Sequence, residues 1–292
     1  MKKILITGAN SYIGQSLENW LMNSVETFQV DTLDMVDPNW EKNDFSQYDS
    51  VFHVAGIAHF SKDESKKDFY YKVNTELTEK TAKKAKSSGV KQFIFMSSII
   101  VYGDSTKASR MIDQDTEPSP SDFYGDSKWQ AEKRLQALSD ENFKIAIIRP
   151  PMIYGEGSKG NYPRLSKLSR KLPIIPNYVN ERSMLYIGNF CEFVKQLLLT
   201  ESSGIFFPQN AEYVSTTNMM SIIAKVHNRK QFKTKLFNPV IKRLFFNDNI
   251  KKMFGNLTYD KQLSKYSFNY QKFDFKKTIE MTELNETIKT SI

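Results

Sequence analysis

Short apolar runs alternate with longer helical patterns through the first half of the chain. Residues 3–7 (KILIT) are apolar and end at Gly8, and a helical pattern follows through Leu21. Further apolar runs fall at 28–33 (FQVDTL), 50–55 (SVFHVA), 92–97 (QFIFMS) and 143–150 (FKIAIIRP). Between them lie a Lys/Glu/Ala-rich stretch at 66–88, long enough for ~6 helical turns, and a helical pattern from Tyr124 to Leu138. Short buried runs separated by helices predict a parallel sheet covered on both faces, with right-handed crossovers. The expected class is α/β with a doubly wound parallel sheet.

After Arg149-Pro150-Pro151 the pattern changes. Residues 155–183 are rich in Gly, Pro, Asn and basic residues and show no strand alternation. A helical pattern at 188–200 and the run 204–207 (GIFF) can return to the sheet. The boundary is therefore expected to be interleaved, with a first domain over 1–155 plus a return over about 186–208, and a smaller second domain over 156–292.

Composition narrows the class. The 292 residues are 40% hydrophobic and 25% charged, which suits a globular chain and not a disordered one. Cys191 is the sole cysteine, so no internal disulfide or cysteine-rich zinc site can form. Three histidines (His53, His59, His227) argue against a His-rich metal site, and no metal is expected. The N-terminal apolar run is too short for a signal peptide, and no stretch approaches a membrane span. A cytoplasmic protein is expected.

Thr7-Gly8-Ala9-Asn10-Ser11-Tyr12-Ile13-Gly14 joins the first strand to the first helix. Gly8 permits a tight turn, Gly14 permits close helix–strand packing, and the helix N-terminus faces a pyrophosphate. Ser11 stands where the usual pattern has glycine, and its Cβ narrows the approach. An ordinary strand-to-helix turn is the alternative. The second strand ends at Leu33-Asp34, where an acid can accept from ribose hydroxyls and repel a 2′-phosphate. Asp31 is the rival, within the strand. No Arg or Lys lies between Val30 and Trp40, so NAD is favoured and NADP is the second choice.

Tyr124 and Lys128 are spaced i, i+4 at a helix start and so share one face. A lysine cation and a positive nicotinamide ring can bring a tyrosine from ~10 towards ~7. Tyr124 would then serve as general acid/base on an alcohol or ketone, with Ser98 hydrogen-bonding the same oxygen. A surface helix pair is the bland alternative.

These motifs together resemble the NAD-dependent epimerase/dehydratase family of extended short-chain dehydrogenases/reductases. The residues that carry the resemblance are the TGANSYIG loop, His53-Val54-Ala55-Gly56, Val73-Asn74, Ser97-Ser98 with Val101-Tyr102-Gly103, Tyr124 with Lys128, and Arg149-Pro150 with Tyr154-Gly155. They span residues 1 to about 190. The resemblance implies a Rossmann-type dinucleotide-binding domain, an interleaved substrate domain, and a catalytic trio of Ser98, Tyr124 and Lys128. It implies that Gly8, Asn10, Ser11, Tyr12, Ile13, Gly14, Asp34, Val54, Ala55, Gly56, Asn74 and Pro151 serve the cofactor. Asp44-Phe45 match a pair lining the adenine pocket. It also implies a nucleotide-diphosphate sugar as substrate, such as a UDP-sugar, held by Arg182 and Asn161 as well as Ser98 and Tyr124. A homodimer through the 66–88 helix and the helix beginning at Tyr124 is a further implication.

Family dehydratases carry Asp-Glu after the serine or threonine of the fourth strand. Ile99 and Ile100 stand there and cannot transfer protons, which disfavours dehydration. A 4-epimerase and a 4-ketoreductase remain. Pro151-Met152 replaces the epimerase Phe-Asn pair, and the chain is shorter in its substrate domain. It resembles small proteins of bacterial capsule and surface-polysaccharide loci, and the reading leans to a reductase of UDP-4-keto-6-deoxy-HexNAc. UDP-hexose or UDP-HexNAc 4-epimerase is the alternative, and a non-catalytic dinucleotide sensor is disfavoured by the intact Tyr/Lys pair.

The net charge of +8 is concentrated. Residues 225–252 hold nine Lys/Arg against one acid, Asp248. A local cluster of this kind does not suit a nucleic-acid-coating surface, and no nucleic-acid partner is expected. Apolar Val240, Ile241, Leu244 and Phe245 fall on one helical face within 240–254. Three roles stay open for this segment: a helix burying that face beneath solvated lysines, electrostatic focusing of an anionic sugar nucleotide, and peripheral attachment to an anionic membrane. The first is favoured and the last least so.

Overall fold

The computed structural model describes residues 1–58, 63–106 and 108–289. His59 lies outside the described residues. The chain divides into two compact units, each built from several segments. The first comprises Met1–Gly103, Glu117–Pro150 and Phe190–Pro208; the second comprises Asp104–Thr116, Pro151–Asn189 and the chain from Gln209 onward.

The first unit is built on a six-stranded parallel sheet in the order Gly204–Phe206, Lys144–Ile148, Gln92–Met96, Ser50–His53, Lys2–Thr7, Phe28–Leu33. Residues 190–200 of the helix Ile187–Thr200 lie in this unit, and Phe190 packs on Phe52 of the sheet. Apolar side chains of the strands (Leu5, Val51, Phe93, Ile145) and of the helices Leu77–Ser87 and Phe123–Gln136 (Ala82, Ala131, Leu135) form one core. The strand order reverses at Lys2–Thr7. Thr7 is level with Leu33 on one side and with His53 on the other. Three strand ends therefore finish together where the order reverses, which is where open α/β sheets bind ligands.

The stretch expected as one helix over 66–88 is segmented. A short 3-10 turn at Glu64–Lys66 and α-helix Lys67–Tyr70 lead into a π-helical segment, Tyr71–Glu76, before the helix Leu77–Ser87. The wider turn carries two consecutive buried polar residues, Asn74 and Thr75. Both bond inward, Thr75 to the Ser127 carbonyl at 2.7 Å. Helix composition alone does not reveal such an insertion, which serves tertiary hydrogen bonds.

In the second unit, three-residue strands pair where alternation was not expected: Met152–Tyr154 with Met184–Tyr186, and Ile174–Pro176 with Phe232–Thr234. Strands this short give no readable period. Glu283 is fully buried and accepts hydrogen bonds from Tyr162 at 2.7 Å and Ser166 at 2.9 Å, with His227 at 2.7 Å. Residues 240–254 are not one helix. Asn238–Arg243 and Asp248–Phe254 are separate, because Asn247 caps the second by accepting from the Asn249 amide at 2.9 Å. Ile241, Phe245 and Phe254 bury against Tyr178, whereas Val240, Leu244 and Phe246 are exposed. The favoured burial of the 240/241/244/245 face is thus corrected to burial of Ile241 and Phe245 alone. Among the described residues, no helix is long and apolar enough to cross a membrane, and no cluster of metal-ligating side chains occurs.

Candidate active site

A cavity of about 750 Å³ opens at the level strand ends of the first unit. Its wall includes Gly8, Asn10 and Ser11, then Asp34 to Val36, then Val54 to Ile57. The strand ends are tied by backbone bonds: Gly8 donates to Leu33 at 2.9 Å, and Val54 and Ala55 both donate to Thr7 at 3.0 Å. Gly8 has φ +104°, and a Cβ there would lie 2.8 Å from the Ala55 nitrogen. The chain can turn this closely only without a side chain. Asn10 takes the left-handed φ of +66° that asparagine tolerates.

Ser11 needs no glycine, since its φ is −76°. Its Oγ accepts from the Gly14 amide at 3.0 Å and caps the helix Tyr12–Met22. Ser11 therefore caps the helix while standing on the cavity wall. A Cβ on Gly14 would come within 2.7 Å of that Oγ. Tyr12 and Ile13 form the helix's first turn and do not belong to the cavity wall.

Asp34 lies on the wall and accepts from the Val36 amide at 2.9 Å. Its rival Asp31 stands near Tyr48, whose phenol burial, aided by that carboxylate, pushes up to about 12. Asp44 and Phe45 do not line the cavity. Phe45 is wholly buried, tilted against Trp40 with the Lys84 ammonium 4.9 Å from its ring centre, and Asp44 accepts from the Ser46 amide at 2.8 Å. An apolar ring in this position is worth more in the core than at a cavity. Trp40, Met35, Phe69 and Lys72 are wall residues that sequence reasoning missed; they come from loop and helix positions without a motif.

The expected catalytic side chains are assembled within the first unit. Asp122 caps the helix Phe123–Gln136 by accepting from Gly125 at 2.8 Å, which sets Tyr124 and Lys128 one turn apart. Gly125 leaves no room for a side chain, since its Cβ would fall 2.8 Å from the Ile100 carbonyl. Ser98 lies near enough to Tyr124 to favour its ionised form, and its Oγ accepts from the Ile100 amide at 3.3 Å. Burial pushes the Tyr124 phenol up to about 12, Ser98 pulls it down, and Asp122 and Tyr70 push it further up. Within the chain itself desolvation is the larger effect; the lowering expected from Lys128 together with a positive nicotinamide ring concerns the loaded site.

Lys128 donates to the Met96 carbonyl at 2.9 Å and lies 4.7 Å from the Phe95 ring centre. Burial lowers it to about 8, against an opposing pull from Glu132. A Cβ on Gly56 would meet Lys128 Nζ at 3.0 Å and Asn74 Oδ1 at 2.9 Å. Gly56 thus belongs both to the cavity wall and to the surroundings of Lys128. Asn74 is not on the wall; it accepts from the Ile57 amide at 2.9 Å and donates to the Ile57 carbonyl and Ser127 Oγ at 3.0 Å. His53 is fully buried between Thr7 at 2.6 Å and Thr78 at 3.0 Å, and burial drops it to about 3, so it is neutral.

Glu132, absent from the sequence reading, joins three of the motif residues. It receives the Arg149 guanidinium at 3.1 and 2.5 Å and the Ser97 hydroxyl, while Arg149 donates to Tyr102 at 2.5 Å. Its place one turn after Lys128 is the signal that could have found it.

In the second unit, Arg182 donates to the carbonyls of Lys251 at 3.4 Å and Gly255 at 3.2 Å. Its Nε is buried without a partner among the described residues. Burial lowers the guanidinium to about 10, opposed by Asp104. Asn161 begins the helix Asn161–Lys171, and Pro151 is a buried residue at the start of a segment of this unit.

Residues 4–205 match the pattern described as the NAD dependent epimerase/dehydratase family. The chain belongs to that family. Among similar members, a Vibrio cholerae UDP-glucose 4-epimerase is 32% identical over 247 residues, 76% of this chain and 75% of that protein. An Escherichia coli O157:H7 N-acetyl-alpha-D-glucosaminyl-diphospho-ditrans,octacis-undecaprenol 4-epimerase is 29% identical over 243 residues, 76% and 71% of the two chains. The fold is also that of a Clostridium acetobutylicum dTDP-4-dehydrorhamnose reductase, at TM-score 0.75 and 18% identity over 98% of this chain and 99% of that one. Membership makes the enzyme NAD-dependent, and the cavity suits that group. A glycine cradle that any Cβ would fill and an acid at the second strand end fit a dinucleotide.

Proposed function

We propose that the protein is an NAD-dependent 4-epimerase of a nucleotide-diphosphate sugar. One observation carries the reading: Gly56, on the cavity wall, leaves room only for Lys128 and Asn74, so the catalytic lysine borders the dinucleotide site. When bound, the nicotinamide supplies a hydride acceptor or donor and, oxidised, a positive charge that lowers a nearby phenol. Tyr124 would take the hydroxyl proton from the sugar's C4 oxygen and return a proton to it, which is the proton chemistry that oxidation and re-reduction at C4 require. Ser98, near Tyr124, hydrogen-bonds and positions the same oxygen. Lys128 holds positive charge beside the cavity. Asp34 receives the adenosine ribose hydroxyls. Within the second unit, Arg182, whose Nε is unpartnered among the described residues, is the residue that the family resemblance gives for a diphosphate, a role that suits a planar guanidinium.

The two 4-epimerase relatives, similar over about three quarters of their length, support epimerisation. A 4-ketoreductase of UDP-4-keto-6-deoxy-HexNAc is the second reading, favoured by Pro151-Met152 in place of the epimerase Phe-Asn pair. The two separate by cofactor stoichiometry. With UDP-glucose or UDP-N-acetylglucosamine and substoichiometric NAD, an epimerase produces the C4 epimer with no net change at 340 nm. Inertness towards these sugars, with one NADH consumed per UDP-4-keto-sugar reduced, would replace epimerisation by reduction.

A further inference from the structure

The segment from Tyr213 to Asn247 contains no Asp or Glu. Its latter part, 229–247, carries Arg229, Lys230, Lys233, Lys235, Lys242 and Arg243, all exposed. Interspersed are large apolar side chains that the fold leaves in water: Phe232 is 71% exposed, Leu236 82% and Phe246 76%. Burying such groups is ordinarily the main gain of folding, so this many exposed in a short stretch marks a surface with a partner.

The backbone explains the arrangement. Ile241 donates to Phe237 and Leu244 donates to Val240, each at 2.9 Å, so the helical repeat runs past both ends of Asn238–Arg243. Ile241 and Phe245, four residues apart, turn inward to Tyr178 and Phe254. Val240 and Leu244, also four residues apart, are exposed, as is Leu236 in the turn that precedes the helix. Beside it, Phe232 is in register with Ile174 in the parallel pair of Ile174–Pro176 and Phe232–Thr234, and both are exposed. Registered residues in a parallel pair project to the same side, which extends the apolar patch. The helix is therefore apolar on two faces, one used by the core and one not.

We infer that this face of the second unit docks on an anionic lipid surface. Cations and exposed Phe/Leu side chains in one patch are the composition of an interfacial membrane anchor, in which shallow apolar insertion and attraction to anionic headgroups act together. A second copy of the chain is a poor occupant, since a two-fold contact would set each patch's cations against the same cations. Nucleic acid would use the cations but gain little from exposed aliphatic side chains. Docking here does not depend on which sugar the enzyme takes.

The experiment is cosedimentation of the full chain with phosphatidylglycerol-containing vesicles and with pure phosphatidylcholine vesicles, at low and high salt. Two double variants are compared, Lys242→Glu/Arg243→Glu and Phe232→Ser/Phe246→Ser, with circular dichroism and NADH binding confirming that each is folded. The expected result is binding to the anionic vesicles only, weakened by salt. The charge variant is expected to lose at least ~10-fold in partitioning, on the basis of about fivefold per cation, and the Phe variant to lose it also. Absence of binding to anionic vesicles at low salt would overturn the inference, as would equal binding to neutral vesicles. Self-association abolished by the Phe variant, without vesicle binding, would also overturn it and assign the face to a second copy.

Discussion

The side-chain amide of Asn74 holds both backbone polar groups of Ile57, accepting from its N–H at 2.9 Å and donating to its carbonyl at 3.0 Å. Ile57 ends the Val54–Ile57 stretch of the cavity wall, so Asn74 positions that wall from behind without lining it. Replacing Asn74 by Ala leaves two backbone groups unpaired, at about 1–3 kcal/mol for a buried orphan. Asn74→Ala is expected to lower the melting temperature and raise the NADH Kd. Asn74→Asp, which keeps only the acceptor, should fall between it and the native chain. Thermal melts and dinucleotide titration check this; an unchanged Kd in Asn74→Ala would remove its positioning role.

Lys128 should limit activity at high pH. Burial lowers it to about 8, so its cation is lost as pH rises through 8, and turnover that needs the charge should decline over the same range. The stability effect has the opposite sign. The folded pKa lies below the ordinary 10.5, so the unfolded chain binds more protons between pH 8 and 10.5, and this group's contribution to stability rises with pH there. The cost of burying the charge, on the order of 3 kcal/mol, is fully felt below pH 8. Lys128→Met should therefore lose activity while gaining stability at neutral pH, and that gain should shrink as pH climbs from 8 to 10.5. Melts and rate profiles over pH 6–10.5 test both signs.

Arg182 should matter most for substrate affinity. Its Nε is buried and unpartnered while its other contacts go to carbonyls, so Arg182→Lys keeps a charge but loses the fork. Roughly a tenfold or larger rise in KM is expected with a smaller change in kcat. A change confined to kcat would contradict a diphosphate-holding role.

Asp34 should set cofactor choice. Its carboxylate stands on the cavity wall, where it repels a 2′-phosphate. NADH is expected to bind roughly tenfold or more tightly than NADPH, and Asp34→Ser should narrow the gap. Side-by-side titrations decide it; tighter NADPH binding by the native chain would contradict the assignment.

The alternation of short apolar runs with helices made the six parallel strands legible, because the four inner strands are largely buried and the two edge strands, Phe28–Leu33 and Gly204–Phe206, still carry apolar residues at their ends. The loop from Gly8 to Gly14 and the Tyr124/Lys128 spacing were equally readable, since turn chemistry and helical period act locally. What was not readable depends on distant partners. Asn74 and Thr75 open a π-helical turn to reach Ile57 and Ser127. Phe45 joins the core because Trp40 and Lys84 meet it there. Tyr124 is raised to about 12 by burial, which no spacing between Tyr and Lys conveys. The break at Asn247 depends on one capping hydrogen bond, and it separates the helix Asn238–Arg243 from the helix Asp248–Phe254.

Under the proposed function Tyr124 moves the proton during hydride transfer at C4. The most direct measurement is proton NMR of UDP-glucose and UDP-N-acetylglucosamine incubated with the native enzyme and with Tyr124→Phe, alongside NADH titration of both. Expected are appearance of the C4 epimer with the native enzyme, a loss of about 10²–10⁴-fold in Tyr124→Phe, and NADH affinity within a few-fold of native. Near-native turnover by Tyr124→Phe would contradict that role.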